Sequence, residues 1–286
     1  MKLTIFTPTY NRRDLLGRAY ESLLKQTCRD FVWLIVDDGS SDDTGSLVAQ
    51  WIREDRIRIR YEYCENGGKM RAHNRGAKLC ETEWFLCRDS DDILVPTAVE
   101  QIYACADAVG SKRVAGIVAH KGKSETETLY GSDFPVNGYS TLYGLYLKGF
   151  RGETTLVYKT AILRAFPFPE IEGEKYVPED YIYDKIDQEH VLYVLPRIIT
   201  VCELVSAGYT DSLKDLKEKN PQAWYLYYEQ RARITPVSLL KWKYLGFYIR
   251  YAKRCHKPLF RGALISPIFV LTGYPFAWIL KWMGKA

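Results

Sequence analysis

Trp84-Phe85-Leu86-Cys87-Arg88-Asp89-Ser90-Asp91-Asp92 is an apolar, strand-like run that ends in a cluster of carboxylates. Residues i and i+2 of an extended chain point to the same side, so Asp89 and Asp91 are expected to direct two carboxylates to one point. Mg2+ and Mn2+ take oxygen ligands, and proteins often hold them with one or two carboxylates plus substrate phosphates. The stretch therefore predicts a divalent-cation site with Asp91 and Asp89 as ligands.

Two further strand-like runs also end in polar motifs. Residues 3–11 end in Pro-Thr-Tyr-Asn, and residues 31–40 end in Asp-Asp-Gly-Ser. Both runs are largely apolar, which is typical of strands buried on both faces of a parallel sheet. Ligands bind such sheets beyond the carboxyl ends of the strands. Tyr10, Asp38 and Asp91 are therefore expected to lie at one edge of a sheet.

Strand and helix patterns alternate over the first 120 residues. Helical spacing of apolar residues is seen at 15–24, 44–52, 72–79 and 96–108, and further strand-like runs at 57–63 and 114–119. This alternation predicts βαβ units, and hence an α/β fold with a mostly parallel sheet flanked by helices.

A glycine-bearing loop precedes one of the predicted helices. Residues 66–76 read Asn-Gly-Gly-Lys-Met-Arg-Ala-His-Asn-Arg-Gly, which is neither the dinucleotide-binding signature nor a P-loop. Backbone amides at a helix start, and the side chains of Lys69 and Arg71, are groups that bind phosphate. Tyr10 offers a flat face to a nucleobase, and Asp38 offers acceptors to a base or ribose. Together they predict a metal-assisted site for a nucleoside diphosphate carrier.

These motifs resemble the successive signatures of family 2 inverting glycosyltransferases. The resemblance covers about residues 1–120, in the order Pro8-x-Tyr10-Asn11, Val36-Asp-Asp-Gly-Ser40, Asn66-Gly-Gly68 with Asn74-x-Gly76, and Asp89-Ser-Asp-Asp92. It implies a GT-A fold and a nucleotide donor, usually UDP. It also implies that Asp91 is the principal metal ligand, with Asp89 near ribose and metal. The donor-binding residues that it implies are Pro8, Tyr10, Asp37, Asp38, Lys69, Arg71, Asn74 and Asp89.

Several of these residues also have a structural interpretation. Asp37 is placed to cap a turn rather than to touch a ligand. Asp92 is placed at the N-terminus of a helix that starts four residues later. Tyr10 also fits a packed aromatic position, and Lys69 and Arg71 also fit a solvated face.

An acidic stretch at residues 172–181 follows the sheet-forming region. In the family that the chain resembles, an aspartate in such a stretch serves as general base. Inversion needs this base, because the acceptor hydroxyl loses a proton as it attacks. By motif position Asp180 is assigned this role, with Glu179 as its neighbour or as an acceptor contact. Asp184 and Asp187 are rival candidates, and an acidic helix N-terminus is the structural alternative.

The C-terminal tail is strongly basic. Residues 230–286 contain eleven Lys or Arg and no Asp or Glu. Five of the basic residues recur at helical spacing beside an aromatic and aliphatic flank, which predicts a helix lying on an anionic membrane surface. The basic residues are Lys243, Arg250, Arg254, Lys257 and Arg261, and the flank is Leu240, Tyr244, Phe247, Tyr248 and Tyr251.

An uncharged run at residues 262–280 has nearly the length of a bilayer span. Pro267, Gly273 and Pro275 interrupt it, and its Trp and Tyr content suits the membrane interface. We therefore expect peripheral or re-entrant attachment rather than a span. A nucleic acid partner is not expected, because the apolar run follows the basic stretch. Two alternatives stay open: the tail folds back on the enzyme, or it forms a homodimer.

The composition fits a globular enzyme with reduced cysteines. The chain has 286 residues, of which 47% are hydrophobic, and can bury a full core. Its seven cysteines form no C-x-x-C pair, and Met1 leads directly into the first strand, so a cytoplasmic protein without a signal peptide is predicted. The predicted division is donor binding at 1–120, acceptor binding and the catalytic base at 121–229, and a helical membrane-association extension at 230–286.

Two functions of different classes follow. The first is an inverting hexosyl- or N-acetylhexosaminyl-transferase that uses Mg2+ or Mn2+. It would move a sugar to a glycan or glycolipid acceptor at the inner face of a bacterial membrane, in surface polysaccharide assembly. The alternative is a catalytically inert nucleotide-sugar-binding subunit that recruits a partner to the membrane. A nucleotidyltransferase is a weaker interpretation, because residues 8–13 lack the glycine-rich basic loop of that class.

Overall fold

The computed structural model describes residues 2–105, 107–202, 213–259, 265 and 267–282. The strands in these residues are β1 Leu3–Thr9, β2 Phe31–Asp37, β3 Ile59–Tyr63, β4 Trp84–Cys87, β5 Asp92–Leu94, β6 Val114–Gly122, β7 Gly138–Ser140, β8 Thr154–Lys159 and β9 Val191–Cys202. The helices are α1 Arg13–Leu24, α2 Thr44–Glu54, α3 Lys69–Leu79, α4 Ala98–Ala104, α5 Leu142–Leu147, α6 Thr160–Ala165, α7 Asp180–Ile186, α8 Leu213–Lys219, α9 Pro221–Ile234, α10 Leu239–Arg254 and α11 Pro267–Trp282.

The strands form one sheet in the order β3-β2-β1-β4-β8-β6-β9-β5, with β7 paired to β9. The first four strands of this order are parallel, as predicted, and β1 and β2 are buried along their whole length. Beyond β4 the sheet is mixed, because β8 runs antiparallel to both β4 and β6, whereas β6 and β9 are parallel. The carboxyl ends of β1, β2, β4 and β6 therefore share one edge.

Helices cover both faces of the parallel part. On one face, Tyr20 of α1 stacks 4.4 Å from Trp51 of α2 and 6.1 Å from Trp33 of β2, measured between ring centroids. On the other face α3 packs on β1, where a Cβ added at Gly76 would lie 2.3 Å from the Phe6 ring. The glycine of the predicted Asn74-x-Gly76 motif is thus required by close helix–strand packing.

The prediction that Asp92 lies at a helix N-terminus is wrong. Asp92 begins the short strand β5, which pairs antiparallel with β9, and α4 starts only at Ala98. No sequence pattern predicted β5, because a strand of three residues is too short to show a period. Its buried carboxylate is instead part of the site described below.

The chain divides into two compact units, Met1–Phe168 with Ile182–Ser206, and Pro169–Tyr181 with Ala207–Ala286. These boundaries differ from the predicted ones at residues 120 and 229. The sheet extends well past residue 120, and the basic tail shares its unit with the acidic stretch at 172–181. The roles assigned to the three predicted segments stay predictions. All seven cysteines are free thiols.

In the second unit, α10 packs on α9 through aromatic rings. Phe247 stacks on Tyr228 with 4.6 Å between ring centroids, and Tyr248 stacks on Tyr225 at 5.8 Å. Phe247, Tyr248 and Tyr251 are buried. The expectation that this flank of α10 lies on a membrane is therefore wrong, because α9 covers it. Among the helices that the structure describes, none combines the length and apolarity needed to cross a bilayer.

Candidate active site

The predicted motifs contact one another at the shared strand-end edge. The Asp38 amide donates to the Thr9 carbonyl at 2.8 Å, and the Asn11 amide donates to Ser40 Oγ at 2.8 Å. These bonds join the turn after β1 to the turn after β2. Tyr10 lies between Thr9 and Asn11 and is half-exposed, so its side chain is accessible to a ligand.

Asp38 joins the second motif to the glycine loop. Its Oδ1 accepts from the Gly67 amide and its Oδ2 from the Gly68 amide, both at 2.8 Å, and Asn66 Nδ2 donates to Oδ2 at 3.0 Å. Gly39 has φ +84°, and a Cβ there would lie 2.8 Å from the Asn66 nitrogen. Backbone amides of the loop at 66–76 were predicted to meet a phosphate. Those of Gly67 and Gly68 donate to Asp38 in this structure, and phosphate binding by the loop stays a prediction.

Asp37 caps the turn that follows β2. Its Oδ1 accepts from the Ser40 amide at 2.7 Å, and its Oδ2 accepts from the Tyr61 hydroxyl at 2.7 Å. Burial, together with the adjacent Asp37 charge, raises the pKa of Tyr61 above its ordinary value. The carboxylate is itself buried. This is the turn-capping arrangement named as the structural alternative, and the donor-binding role of Asp37 stays a prediction.

Asp89 forms an ion pair with Lys69, the first residue of α3. Lys69 Nζ lies 2.6 Å from Asp89 Oδ1, and the Asp89 side chain remains 38% exposed. Burial alone would raise the pKa of Asp89, but the charges of Lys69 and Lys121 outweigh burial, and the pKa falls below its ordinary value. Asp91, two residues on, has no ion-pair partner in the part of the chain that the structure describes.

Lys121 at the end of β6 was missed by the sequence analysis. Its Nζ lies 2.8 Å from Asp92 Oδ2, and both side chains are largely buried. Burial alone would lower the pKa of Lys121. The charges of Asp92 and Asp89 outweigh burial and raise this pKa well above its ordinary value, so the ammonium stays charged. Burial raises the pKa of Asp92, with Lys121 opposing. The only sequence signal was a single lysine after an apolar run, without a spacing that links it to residues 89–92.

Arg88 supports the same loop from inside. It donates to the Asp92 carbonyl at 3.1 Å and to Thr7 Oγ1 at 3.1 Å, and its guanidinium lies 5.5 Å from the centroid of the Trp33 ring. Burial lowers the pKa of Arg88 to about 10, which leaves it charged at neutral pH. The loop therefore has three carboxylates, at Asp89, Asp91 and Asp92, near three cationic side chains, at Lys69, Arg88 and Lys121.

The remaining predicted donor residues make contacts within the first unit. Arg71 donates to the Gly67 carbonyl at 3.2 Å. The Asn74 side-chain amide donates to the Phe168 carbonyl and accepts from the Phe168 amide, both at 2.9 Å. Pro8 lies within the buried strand β1. These contacts hold the loop and the chain near Phe168 in place, and the donor-binding roles of all three residues stay predictions.

Asp180, the predicted general base, begins α7 and lies in the second unit. Its Oδ2 lies 3.0 Å from an Arg231 guanidinium nitrogen and accepts from the Tyr227 hydroxyl at 3.5 Å. Burial on one side raises the pKa of Asp180, and Arg231 opposes this rise. The side chain is nevertheless 49% exposed.

The two rival candidates for the base are less accessible. Asp184 is buried. Asp187 accepts from the backbone amides of Leu142 and Tyr143, at 3.1 and 2.7 Å, where α5 begins. Asp180 is therefore the candidate that has the most open carboxylate. The structure leaves its assignment as base a prediction.

Residues 4–171 match the protein family model Glycosyl transferase family 2. The match covers more than half of the chain. The chain belongs to glycosyl transferase family 2. It thus carries a glycosyltransferase domain, and the resemblance inferred from the four motifs is confirmed.

Curated relatives of this family 2 chain differ in how much of it they match. A Campylobacter jejuni GalNAc(5)-diNAcBac-PP-undecaprenol beta-1,3-glucosyltransferase is 27% identical over 240 residues, which is 83% of this chain and 75% of that protein. Glycosyltransferase GlyG of Streptococcus pneumoniae is 33% identical over 102 residues, 35% of this chain. The match spans only 34% of the length of GlyG.

A solved structure confirms the predicted GT-A-like α/β fold. The crystal structure of S. aureus TarS 1-349 in complex with UDP-GlcNAc matches with a TM-score of 0.65 and 20% identity. The match covers 89% of this chain and 73% of that one. At this identity the likeness establishes the fold alone.

The acidic loop of the family 2 chain suits a cation that binds together with a diphosphate. In the described ranges no group of three or more His, Cys, Asp or Glu side chains is placed to hold a metal. Mg2+ in nucleotide sites, however, is usually held by one or two carboxylates plus substrate phosphates and water. Asp91 has no ion-pair partner among the described residues, and Asp89 is partly exposed. This donor set fits that mode of binding.

Proposed function

We propose that this chain transfers a sugar, with inversion, from a UDP-sugar to a glycan or glycolipid acceptor at a membrane. The observation that carries the proposal is the strand-end edge of the first unit. There the half-exposed Tyr10, the Lys69–Asp89 ion pair and Asp91, which has no ion-pair partner among the described residues, belong to loops that are hydrogen-bonded or ion-paired to one another. The structural neighbour with bound UDP-GlcNAc supports a UDP donor.

The donor site must accept a diphosphate close to three carboxylates. Lys69, Lys121 and Arg88 offset the charge of Asp89, Asp91 and Asp92, so a phosphate group does not meet an uncompensated negative cluster. A Mg2+ or Mn2+ ion held by Asp91 and Asp89 would, when bound, neutralise the diphosphate and improve it as a leaving group. Tyr10 supplies the surface for the base, and Lys69 supplies a cation for phosphate.

Asp180 is the proposed general base. The acceptor hydroxyl oxygen forms a bond to the anomeric carbon, the bond from that carbon to the diphosphate oxygen breaks, and its electron pair leaves with UDP. The hydroxyl proton passes to the Asp180 carboxylate. A pKa raised by burial makes this carboxylate a stronger proton acceptor than an exposed aspartate.

The acceptor side of the proposal rests on the C-terminal sequence and on one relative. Residues 230–286 contain eleven basic and no acidic residues, which suits an anionic membrane surface. The Campylobacter jejuni relative is named for an acceptor linked to PP-undecaprenol. We therefore place the enzyme at the inner face of the cell membrane, acting on a lipid-linked or membrane-associated glycan in surface polysaccharide assembly.

A donor panel tests the proposal directly. The full chain is incubated with UDP-glucose, UDP-galactose, UDP-GlcNAc, UDP-GalNAc or GDP-mannose, with Mg2+, Mn2+ or EDTA, and release of the nucleotide diphosphate is measured. We expect one UDP-sugar to be cleaved in the presence of a cation. Asp91→Asn should lower this rate about 100-fold or more, because it removes a carboxylate ligand of the cation.

Asp55→Asn is the matched control. Asp55 is exposed, precedes β3 at the opposite edge of the sheet, and has φ +50°, which asparagine tolerates. It should keep the wild-type rate. Full activity in EDTA would contradict the metal-dependent part of the proposal. Tight donor binding without turnover, even with lipid-linked acceptors added, would instead favour the inert binding subunit.

A further inference from the structure

Helix α11 has an exposed face that is entirely uncharged. Four large apolar side chains on it are strongly exposed: Ile268 by 71%, Leu271 by 61%, Trp278 by 69% and Trp282 by 81%. At 100° per residue these positions fall within one arc of the helix, together with Thr272, Pro275 and Ile279. The Thr272 hydroxyl donates to the Ile268 carbonyl at 2.7 Å, so the polar group on this face is internally satisfied.

The opposite face of α11 is packed on α10. Val270 and Ala277 are buried, and a Cβ added at Gly273 would lie 3.0 Å from both Ile249 and Leu245. The exposed arc is therefore a second apolar surface rather than the core-facing one. An outward helix face is normally polar, and a contiguous exposed apolar patch marks an interaction site.

Cations adjoin this surface. Lys253 Nζ lies 4.9 Å from the centroid of the Tyr274 ring, which places an ammonium group beside the apolar arc. Lys257, just after α10, is also exposed. Residues 230–286 contain no acidic residue that would neutralise them.

We propose that the exposed face of α11 docks on an anionic phospholipid bilayer, with Leu271, Trp278 and Trp282 inserted at the interface. Tryptophan and tyrosine favour the headgroup level of a bilayer, and flanking lysines are attracted to anionic lipids. The helix has 16 residues, about 24 Å at 1.5 Å each, shorter than the hydrocarbon core of about 30 Å. Because its other face is packed on α10, it lies along the surface and does not cross it.

A second copy of the chain fits this surface less well. An isologous contact through α11 would place the Lys253 side chains of both copies near each other. Residues 230–286 have no carboxylate to separate them. A bilayer rich in anionic lipid satisfies both the apolar arc and the adjoining cations.

The inference rests on the membrane part of the proposed function, but its test needs neither donor nor acceptor. The full chain is sedimented with vesicles of phosphatidylcholine alone, and with vesicles that contain about one third phosphatidylglycerol. We expect binding to the anionic vesicles, partly released by high salt because only the electrostatic part is screened. Leu271→Glu should weaken the apparent affinity about tenfold, since it places a charge on the inserted face.

Ile52→Glu is the matched control, because Ile52 is an exposed apolar residue on α2 of the first unit. It should bind vesicles as the wild type does. Brominated lipid should quench tryptophan fluorescence in the wild type, and Trp278→Phe with Trp282→Phe should remove most of this quenching. Circular dichroism should show that all variants stay folded, because the substituted side chains are exposed.

Three outcomes overturn the docking surface: no binding to anionic vesicles, equal binding by Leu271→Glu, or a dimer that Leu271→Glu dissociates. Nucleotide release from a UDP-sugar, measured without vesicles, is the separate readout of transferase chemistry. Wild-type release together with absent vesicle binding overturns the membrane surface alone. Vesicle binding without any nucleotide release overturns the transferase proposal alone.

Discussion

The strand-end edge of the first unit and the helical tail of the second are stabilised by different interactions: hydrogen bonds and ion pairs join the loops at the edge, whereas stacked aromatic rings join α9 and α10 in the tail. At the strand-end edge, the motifs after β1, β2 and β4 meet as the βαβ order requires. In the tail, the aromatic flank of α10 was expected on a membrane and is buried against α9. Parallel topology fixes where strand ends go, whereas an amphipathic helix defines an apolar face without defining what covers it.

The largest expected effect tests the covered face of α10. Phe247→Ala should destabilise the second unit by about 3–5 kcal/mol, the usual loss for a buried phenylalanine, because the ring stacks on Tyr228. Urea unfolding followed by circular dichroism measures this loss. Leu239→Ala, at an exposed position of the same helix, should change stability by less than about 0.5 kcal/mol. Equal stability of the two variants would mean that the flank of α10 is not a core surface.

The next effect tests the charge pairing at the strand-end edge. Lys121→Met should cost about 3 kcal/mol of stability, because it leaves the buried Asp92 carboxylate without its cation. The double variant Lys121→Met/Asp92→Asn should recover much of this loss, since an amide does not need a counter-charge. Thermal unfolding of the two variants and the wild type measures the recovery. A double variant that is less stable than Lys121→Met would show that the pair is not the main role of Lys121.

The contact between Lys121 and Asp92 is one that sequence patterns could not predict. Asp89 and Asp91 were predictable because strand alternation acts over two residues. Lys121 lies 29 positions beyond Asp92, and the two come together because β9 pairs with both β6 and β5. The sequence likewise did not show that Asp38 accepts hydrogen bonds from the Gly67 and Gly68 amides. Long-range pairing, not local propensity, decides such contacts.

A third prediction separates donor binding from chemistry, and so separates the roles of the two units. Asp180→Asn should lower turnover about 100-fold or more, the usual loss on removal of a general base. Donor affinity, measured by calorimetry, should stay close to that of the wild type, because the amide is isosteric. Glu172→Gln, at an exposed position of the same acidic stretch, is the control and should keep most of the activity. A collapse of donor affinity in Asp180→Asn would make Asp180 a donor ligand rather than the base.

The smallest expected effect is a shift in pH dependence that Arg231 controls. Asp180 must be ionised to accept a proton, so activity falls as pH drops through its pKa, which burial raises above the ordinary value of an aspartate. Arg231 lowers this pKa from 3.0 Å away. Arg231→Gln should therefore raise the pKa of Asp180 and move the acid limb of the kcat/KM profile to higher pH, by about one unit or less.

Arg231→Lys is the control, because it keeps the positive charge and should leave the acid limb near its wild-type position. The three rates should converge as pH rises above the acid limb, because the base is then ionised in every protein. A limb that moves to lower pH in Arg231→Gln, or that moves equally in both variants, would mean that Arg231 does not act through the charge of Asp180.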